Sequence, residues 1–221
     1  MLVKHIKARL APQQPTFLEV TELSQLQGRI AGVDEVGRGA LFGPVVAAAV
    51  ILPDNSLAEL SVSGVTDSKQ LSGVQRLRLA RQIRKTALGC QIGIASVQEI
   101  DRLNILQASL LAMKRAILKL GSFPVLCLID GNQRIPSLPI PQQTVVKGDQ
   151  KLLAIAAASI VAKVWRDELI VRLAAKYPEY DLVTNKGYGT PRHRLALQQF
   201  GSSALHRTSF SPCRIKAIRE S

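Results

Sequence analysis

Cysteine is scarce in this sequence and is placed neither to bind zinc nor to build a disulfide framework. The three cysteines, Cys90, Cys127 and Cys213, are odd in number and far apart, and no zinc-binding spacing exists among them. The first two lie in apolar runs, which favours buried free thiols in a reducing compartment. Zinc modules and small disulfide-rich domains are therefore excluded as the basis of the fold.

Long apolar segments are also absent. The longest strongly apolar stretch, Leu152 to Ala162, is enclosed by Lys151 and Lys163 and is too short to span a bilayer. The basic residues near the N-terminus are followed by neither an apolar signal core nor a cleavage site of small residues. We therefore expect a cytoplasmic protein without a membrane partner.

Acidic residues are few relative to basic ones. The sequence has 29 Lys and Arg against 16 Asp and Glu, a net charge of +13. Such a surplus concentrates polyanions at a protein surface and indicates a nucleic-acid partner. A basic surface without a ligand is the alternative, and charge alone does not separate the two.

The length and composition fit one domain. With 221 residues, 47% of them hydrophobic, the chain can bury a full core, and it contains no internal repeat or low-complexity segment. Residues 1–27 are interpreted as an N-terminal extension without assigned chemistry. Residues 28–221 then form a single α/β domain.

Apolar periodicity predicts the elements of that domain. Short apolar runs predict buried strands, the first two joined as a hairpin, and amphipathic or small-residue patterns predict helices. The expected result is a five-stranded mixed sheet with helices on both faces and a C-terminal helical segment. The predicted strands cover 30–33, 45–52, 90–97, 125–129 and 144–146; the predicted helices cover 74–86 with Ser72 as cap, 100–120, about 150–176 and 192–200; and residues 53–63 are expected to be a polar loop.

The first strand ends in two acids, Asp34 and Glu35, before a glycine-rich turn. Buried carboxylates are costly unless their charge is compensated, and a divalent cation with oxygen ligands is the usual partner. Adjacent residues of a regular strand point to opposite faces. The strand is therefore expected to stop or bulge at these acids.

Two further acids complete a candidate metal site. Asp130 ends the fourth strand, and Asp167 lies on the long helix, on the same face as Ser159 and Lys163. An ion pair between Lys163 and Asp167, four residues apart, is the simpler alternative for that face. Four carboxylates from separate elements suit two hard cations about 4 Å apart, which predicts metal-dependent phosphodiester hydrolysis.

The sequence around these acids resembles ribonuclease HII, a type 2 ribonuclease H. The matching segments are GVDEVGRG with LFGPVVAAAVIL, then LIDGN, then AAASIVAKVWRD, and the resemblance extends from about Gly28 to Phe210. It implies the ribonuclease H fold, a requirement for Mg²⁺ or Mn²⁺, and cleavage on the 5′ side of a ribonucleotide. It also implies that the catalytic metal ligands are Asp34, Glu35, Asp130 and Asp167, the last either directly or through water.

The same resemblance implies a set of substrate contacts. RNA is told from DNA by its 2′-hydroxyl, which the backbone of Gly37, Arg38 and Gly39 meets in the family. The family also uses the residue matching Tyr188 against the deoxyribose beside the ribonucleotide. Candidate phosphate or metal-site contacts are Lys69, Lys147, Lys163 and Lys186. The remaining candidates, His193 and His206, lack a catalytic-triad context and are expected to be surface or loop residues.

The implied substrates are RNA–DNA hybrids and duplex DNA that contains ribonucleotides, bound by a monomer. Two other functions stay open. A basic, non-catalytic nucleic-acid-binding module would keep the acids as ion pairs, although carboxylates do not help a phosphate to bind. Another metal nuclease of the same fold is the second, although a type 3 enzyme normally has an N-terminal substrate-binding domain that about 27 residues cannot supply.

Overall fold

A mixed sheet of five strands lies at the centre of the structure, a computed structural model that describes residues 29–121 and 124–214. The strand order is β3-β2-β1-β4-β5, with β1, β2 and β3 antiparallel in turn and with β4 parallel to both β1 and β5. The predicted sheet is therefore confirmed, whereas the N-terminal extension lies outside the described residues. The strands are β1 (Ile30–Val36), β2 (Val45–Ile51), β3 (Gly89–Ala95), β4 (Leu126–Asp130) and β5 (Gln142–Val145).

Helices cover both faces of this sheet, as predicted. α3 and α4 pack on one face, and α2 and α5 pack on the other. The helices of the described residues are α1 (Leu57–Val62), α2 (Gly73–Thr86), α3 (Val97–Leu103), α4 (Ile105–Leu118), α5 (Leu153–Ala174), α6 (Leu182–Asn185) and α7 (Pro191–Phe200).

Two glycines allow the helices to approach the sheet closely. A Cβ atom on Gly93 would lie 2.0 Å from the carbonyl oxygen of Ala112 in α4. On the other face, a Cβ on Gly32 would lie 2.1 Å from the carbonyl carbon of Ala154 in α5. Because both obstacles are backbone atoms, a side chain at either position would force the helix away from the sheet. The small-residue half of α5 therefore lies directly over β1, near Asp34.

The local sequence explains where most elements begin. β2 consists of seven buried residues, as expected of a strand covered on both faces, and it pairs with β1 as the predicted hairpin. Ser72 begins α2 through a reciprocal capping box with Gln75, which confirms its predicted role.

The prediction of one helix over 100–120 is wrong. Asn104 ends α3 and begins α4 with a φ of 72°, and its side chain accepts a hydrogen bond from the Gln107 backbone N–H. The apolar periodicity continues across this junction, so the sequence pattern alone does not reveal the break. The asparagine supplies both the positive φ and the cap that a second helix requires.

Other boundaries also differ from the predictions. The expected polar loop 53–63 contains a 3₁₀ turn and α1, which buries Leu60 against the α2 side of the core. The fifth strand begins two residues earlier than predicted. The long helix begins at Leu153 because residues 148–150 form a separate 3₁₀ turn.

The cysteines are free, as predicted, although their burial differs. Cys127 and Cys213 are buried, and Cys90 is half-buried. Across residues 29–121 and 124–214, no helix combines the length and the apolarity that crossing a membrane demands.

Candidate active site

A cavity of about 520 Å³ opens at the carboxyl ends of β1 and β4. Strand ends, the 3₁₀ turns 68–70 and 148–150, α5 and the loop after α6 all contribute to its wall. It brings together most of the predicted site residues. The residues that line it are Asp34, Glu35, Val36, Gly37, Arg38, Gly39, Ser68, Lys69, Asp130, Asp149, Ser159, Lys163 and Tyr188.

Strand β1 continues through both of its acids without a break. Asp34 pairs with Ala48 and Glu35 with Ala47 in unbroken antiparallel register, so the expected stop or bulge is wrong. β4 pairs with β1 only as far as Val33. Beyond that residue one side of β1 is open, and the carboxylates reach the same cavity although they start from opposite faces of the strand.

Asp34 lies deepest among these acids. It is 6% exposed, and its Oδ1 accepts a 2.7 Å hydrogen bond from the Glu35 backbone N–H. Burial raises the pKa of Asp34 well above its usual value, and the carboxylates of Glu35 and Asp130 raise it further, against a hydrogen bond with Ser159. The negative charge of this site is therefore poorly compensated by the protein itself.

Glu35 has one cationic neighbour. The Arg38 guanidinium donates a 3.2 Å hydrogen bond to its Oε1. Burial raises the pKa of Glu35, and although Arg38 opposes that shift, the pKa stays above its usual value. Because Arg38 is half-exposed at the cavity rim, it can contact an incoming phosphate as well as the glutamate.

Asp130, the third predicted acid, lies near Asp149, an acid that was not predicted from the sequence. Asp130 ends β4 and accepts a 2.7 Å hydrogen bond from the Gly148 backbone N–H. Asp149 follows on the same turn and lines the cavity, and burial and then Asp130 raise its pKa. Asp149 comes shortly after β5, just as Asp130 ends β4. This shared placement after neighbouring parallel strands is the signal that could have identified Asp149.

Lys69 is the cation nearest to this second pair of acids. Its Nζ lies 3.7 Å from the Asp149 carboxylate, and its side chain is 83% exposed. Partial burial lowers the pKa of Lys69, but the carboxylates of Asp149 and Asp67 raise it by more. Lys69 is therefore a long, exposed cation at the cavity rim beside the acids.

The fourth predicted acid does not line the cavity. Asp167 accepts a 2.9 Å hydrogen bond from Lys163, whose ammonium group also lies 5.5 Å from the centre of the Tyr188 ring. The ion pair that was the simpler alternative is thus present. Lys163 lines the cavity and Asp167 does not, so the cavity brings together three of the four predicted carboxylates, and the fourth is paired with a lysine of the cavity wall.

A buried arginine that the sequence analysis did not select holds the glycine-rich turn. Arg166 is fully buried on α5 and donates hydrogen bonds to the carbonyl oxygens of Phe42, Pro44 and Lys186. Its guanidinium carbon also lies 5.5 Å from the centre of the Tyr188 ring. Arg166 therefore ties two separate loops to the helix that carries Lys163 and Asp167.

A second buried arginine holds the same turn from the end of the described chain. Arg207 is fully buried and donates to the carbonyl oxygens of Gly43 and Arg38. Burial, followed by the nearby Arg166 charge, lowers the pKa of Arg207 to about 9, so it remains charged at neutral pH. No local motif marks either arginine, because their acceptors are backbone atoms distant in sequence.

Two predicted lysines lie away from the cavity lining. Lys147 is exposed and has a left-handed backbone with a φ of 56°. The Lys186 ammonium group donates to the carbonyl oxygen of Val183. Neither side chain lines the cavity in this conformation.

The expectation that both histidines are surface or loop residues is wrong for His193, which is buried on a helix, whereas His206 does lie in a loop, although it is buried there. His193 and His206 are 0% and 1% exposed. His193 lies on α7 and places its Nδ1 atom 2.9 Å from the carbonyl oxygen of Tyr188. Neither histidine lines the cavity, but one of them contacts a residue that does.

The oxygen donors of the cavity suit the predicted metal in chemical type. Within residues 29–121 and 124–214, no three His, Cys, Asp or Glu side chains converge closely enough to hold an ion in this conformation. The chemistry of the cavity nevertheless fits Mg²⁺ or Mn²⁺, since its acids are hard oxygen donors. Burial, and then the neighbouring carboxylates of Glu35 and Asp130, raise the pKa of Asp34, and a divalent cation would offset the charge of these acids.

Known proteins are similar to this chain in sequence and in architecture. The profile of the ribonuclease HII family matches residues 31–213. A ribonuclease HII from Acaryochloris marina is 66% identical over 190 residues, which cover 86% of this chain and 96% of that protein. A ribonuclease HII from Trichodesmium erythraeum is 69% identical over 183 residues, which cover 83% of this chain and 87% of that protein.

Similarity extends to a solved structure. The crystal structure of ribonuclease H2 from Pyrococcus horikoshii OT3 matches with a TM-score of 0.72 at 27% sequence identity. The match covers 84% of this chain and 95% of that one. The sheet and the helices described above are therefore the fold that this structure shares.

Proposed function

The chain belongs to the ribonuclease HII family, and from that premise we propose that it hydrolyses the phosphodiester bond on the 5′ side of ribonucleotides. As a ribonuclease H it is an endoribonuclease. The proposed substrates are RNA–DNA hybrids and single ribonucleotides embedded in duplex DNA. The products are a 3′-hydroxyl and a 5′-phosphate.

One observation carries this proposal. The carboxylates of Asp34, Glu35 and Asp130 line the same cavity as Arg38 and Tyr188. Acids alone would repel a phosphate, and basic residues alone would only bind it. A cavity that holds both, in a protein with a net charge of +13, favours hydrolysis of a bound polyanion over binding alone.

Mg²⁺ or Mn²⁺ is the proposed cofactor. When bound, such ions activate a water for attack on phosphorus and stabilise the leaving oxygen. Asp34, Glu35 and Asp130 would hold them. Asp167 is the proposed fourth ligand, and its ion pair with Lys163 favours contact through water over direct contact.

The chain's own residues would position the nucleic acid. Gly37, Arg38 and Gly39 form the proposed contact with the 2′-hydroxyl and its phosphate, and Tyr188 meets the neighbouring deoxyribose. The lysines proposed to contact phosphates are Lys69 and Lys163 at the cavity and Lys147 and Lys186 farther out. We propose that the enzyme acts as a monomer in the cytoplasm, a compartment that suits its free cysteines.

The decisive experiment compares the wild type with Asp34→Asn on a labelled DNA duplex that contains one ribonucleotide. With Mg²⁺ or Mn²⁺, the wild type is expected to cut on the 5′ side of that ribonucleotide, and a chelator abolishes the cut. Losing one ligand charge should cost several kcal/mol of transition-state stabilisation, so Asp34→Asn is expected to be about a thousandfold slower while still binding the duplex.

Asp54→Asn is the matched control, because Asp54 is an exposed acid outside the cavity lining. It is expected to keep full activity. Full activity of Asp34→Asn would reject the site. A wild type that binds tightly and salt-sensitively, yet cuts with neither metal, would instead establish the non-catalytic binding module.

A further inference from the structure

A line of hydrogen bonds runs through the protein interior to the backbone of Tyr188. The Ser203 backbone N–H donates to Nδ1 of His206 over 2.9 Å. Nε2 of His206 lies 3.0 Å from Nε2 of His193, and Nδ1 of His193 lies 2.9 Å from the Tyr188 carbonyl oxygen. We call Ser203, His206 and His193 the histidine relay.

The geometry fixes the direction of every bond in the histidine relay. A backbone N–H can only donate, so Nδ1 of His206 is an acceptor and its proton resides on Nε2. That proton points at Nε2 of His193, which must therefore accept. The proton of His193 is left on Nδ1, from which it is donated to the Tyr188 carbonyl oxygen.

The surroundings keep both imidazoles neutral. The rings of Tyr180 and Phe42 pack edge-on against His206 with centroids 4.5 and 5.1 Å away. The charged group that acts on His193 is Asp181, whose carboxylate lies 3.6 Å from Arg192. Burial lowers the pKa of both histidines, for His206 to about 3, where the proximity of His193 adds to the effect.

A proton added to either ring would break the histidine relay. On His193 it would make two N–H groups face each other across the 3.0 Å contact with His206, and on His206 it would turn Nδ1 into an N–H that faces the Ser203 backbone N–H across 2.9 Å. Because both imidazoles are uncharged near pH 7, each ring nitrogen keeps the same role as donor or acceptor there. The bond from His193 to Tyr188 is a fixed restraint on that loop.

We propose that the histidine relay positions Tyr188 for substrate discrimination, so that His193 and His206 are positioning residues of the enzyme. This rests on the proposed role of Tyr188 at the deoxyribose. The restrained residue forms an isolated β-bridge with Ala40, beside the glycine-rich turn. Its ring also lies 5.5 Å from both Lys163 and Arg166. A shift of the Tyr188 backbone would therefore change the ring and the turn together.

A matched pair of variants isolates the bond to Tyr188. In asparagine the amide nitrogen is bonded to Cγ, as Nδ1 is in histidine, so His193→Asn can still donate to the Tyr188 carbonyl. In glutamine the amide is one carbon farther out, near the place of Nε2, so His193→Gln can contact His206 but not that carbonyl. Both replacements are neutral amides in the same buried site.

The readout is the ratio of kcat/KM for a duplex with one ribonucleotide to kcat/KM for a continuous RNA–DNA hybrid. His193→Gln is expected to lower this ratio about fivefold, the equivalent of one hydrogen bond, while His193→Asn leaves it unchanged. Equal ratios in the two variants would overturn the proposal. Thermal unfolding of both shows whether a difference in folding accounts for the result, since a purely structural role would lower activity on both substrates alike.

Nitrogen-15 NMR of the imidazoles tests the histidine relay without any substrate. The wild type is expected to show His206 protonated on Nε2 and His193 protonated on Nδ1, with the Tyr188 carbonyl carbon shift changed in His193→Gln but not in His193→Asn. The opposite tautomers would overturn the relay whatever the activities are.

Tyr188→Ala separates the two possible failures. If its ratio equals that of the wild type, the proposed role of Tyr188 fails and the positioning proposal falls with it. If its ratio falls while that of His193→Gln does not, the role of Tyr188 stands and only the positioning proposal is overturned.

Discussion

Gly37 and Gly39 are two residues apart and are glycine for different reasons. Gly37 has a φ of +91°, and a Cβ there would lie 2.2 Å from Nε of the buried Arg166. Gly39 has neither constraint, because no heavy atom lies within 4 Å of the place where its Cβ would be. The fold requires the first glycine, whereas the open space at the second suits the close approach of a ligand.

Gly39→Ala is therefore expected to keep its stability and lose activity. A methyl group at the cavity rim should hinder the proposed backbone contact with a 2′-hydroxyl and lower kcat/KM about tenfold, the worth of one good hydrogen bond. Thermal unfolding and cleavage of an RNA–DNA hybrid measure the two effects. Gly73→Ala, also in open space but on α2, is the control, and full activity of Gly39→Ala would contradict the assigned contact.

Tyr188→Ala is expected to affect the two proposed substrates unequally. The ring lies at the cavity beside Lys163, so its removal should weaken cleavage at a single embedded ribonucleotide more than cleavage of a long hybrid. Stacking of an aromatic ring at the junction is worth about 1–3 kcal/mol, or about fivefold to 150-fold in kcat/KM. An equal loss on both substrates would reject Tyr188 as the junction sensor.

Single residues of the site could be predicted from sequence when a local motif marks them. Asp34, Glu35 and Asp130 follow apolar runs, and the structure does place them at one cavity. Arg166 and His193 could not be predicted, because their partners are backbone carbonyls brought near only by the complete fold. A lone arginine or histidine in a sequence gives no indication of such acceptors.

At the scale of elements, the contact between α5 and β1 sets the position of the site. Gly32 lets α5 lie on β1, and the same helix supplies Ser159 and Lys163 to the cavity. Gly93 allows α4 to approach the opposite face of the sheet equally closely, but α4 supplies none of the residues that line the cavity. The two glycines thus have the same packing role, but only Gly32 packs against a helix that lines the cavity.

Alanine substitutions at these glycines should separate folding from catalysis. Each methyl group would meet backbone within about 2 Å, so Gly32→Ala and Gly93→Ala are each expected to lower the free energy of unfolding by about 3 kcal/mol. Only Gly32→Ala should also lower kcat/KM at temperatures where both variants are folded, since it displaces α5. Equal kcat/KM values would show that the position of α5 does not control the site.

The sequence pattern identified elements better than their ends. β2 was predictable because a run of seven buried residues has few other interpretations. The division at Asn104 was not, because apolar residues keep the helical period on both sides while one residue turns the backbone to a φ of 72°. The continuation of β1 past Val33 also depends on its partner β2, which local sequence does not describe.

At the scale of the whole molecule, buried neutral histidines predict a particular pH dependence of stability. The pKa of His206 is lowered from 6.5 to about 3 by burial and then by His193. Between these values the unfolded chain binds a proton that the folded chain does not, so stability falls as the pH falls below 6.5. Asp34 and Glu35, whose pKa values are raised, act in the opposite direction.

A comparison with His206→Gln isolates this contribution. From pH 6.5 to pH 4.5, the free energy of unfolding of the wild type should fall by about 2 kcal/mol relative to that of the variant. Denaturant unfolding at several pH values measures the difference. The lower limit avoids most of the change that comes from Glu99. Arg115 lowers the pKa of that residue to about 2, so its contribution to stability is present above its usual pKa of 4.5 and is lost as the pH falls below it. A difference that is independent of pH would show that His206 titrates normally.

The overall class of the molecule was accessible from composition and pattern. The alternation of strands and helices indicated a mixed sheet covered on both faces, and the structure confirms it. Contacts between distant parts of the described chain could not be predicted from the sequence. Arg207 closes the turn beside β1 from more than 160 positions away, as its bond to Gly43 shows.

That long-range closure also gives the enzyme an order of assembly during synthesis. Ribosomes deliver Asp34 and the turn after it early, but Leu205, which accepts from the Gly43 N–H, and Arg207, which donates to Arg38, come late. A nascent chain therefore carries its acids long before the glycine-rich turn beside them is fastened. Residues 205 and 207 must both be synthesised before that turn has these backbone contacts.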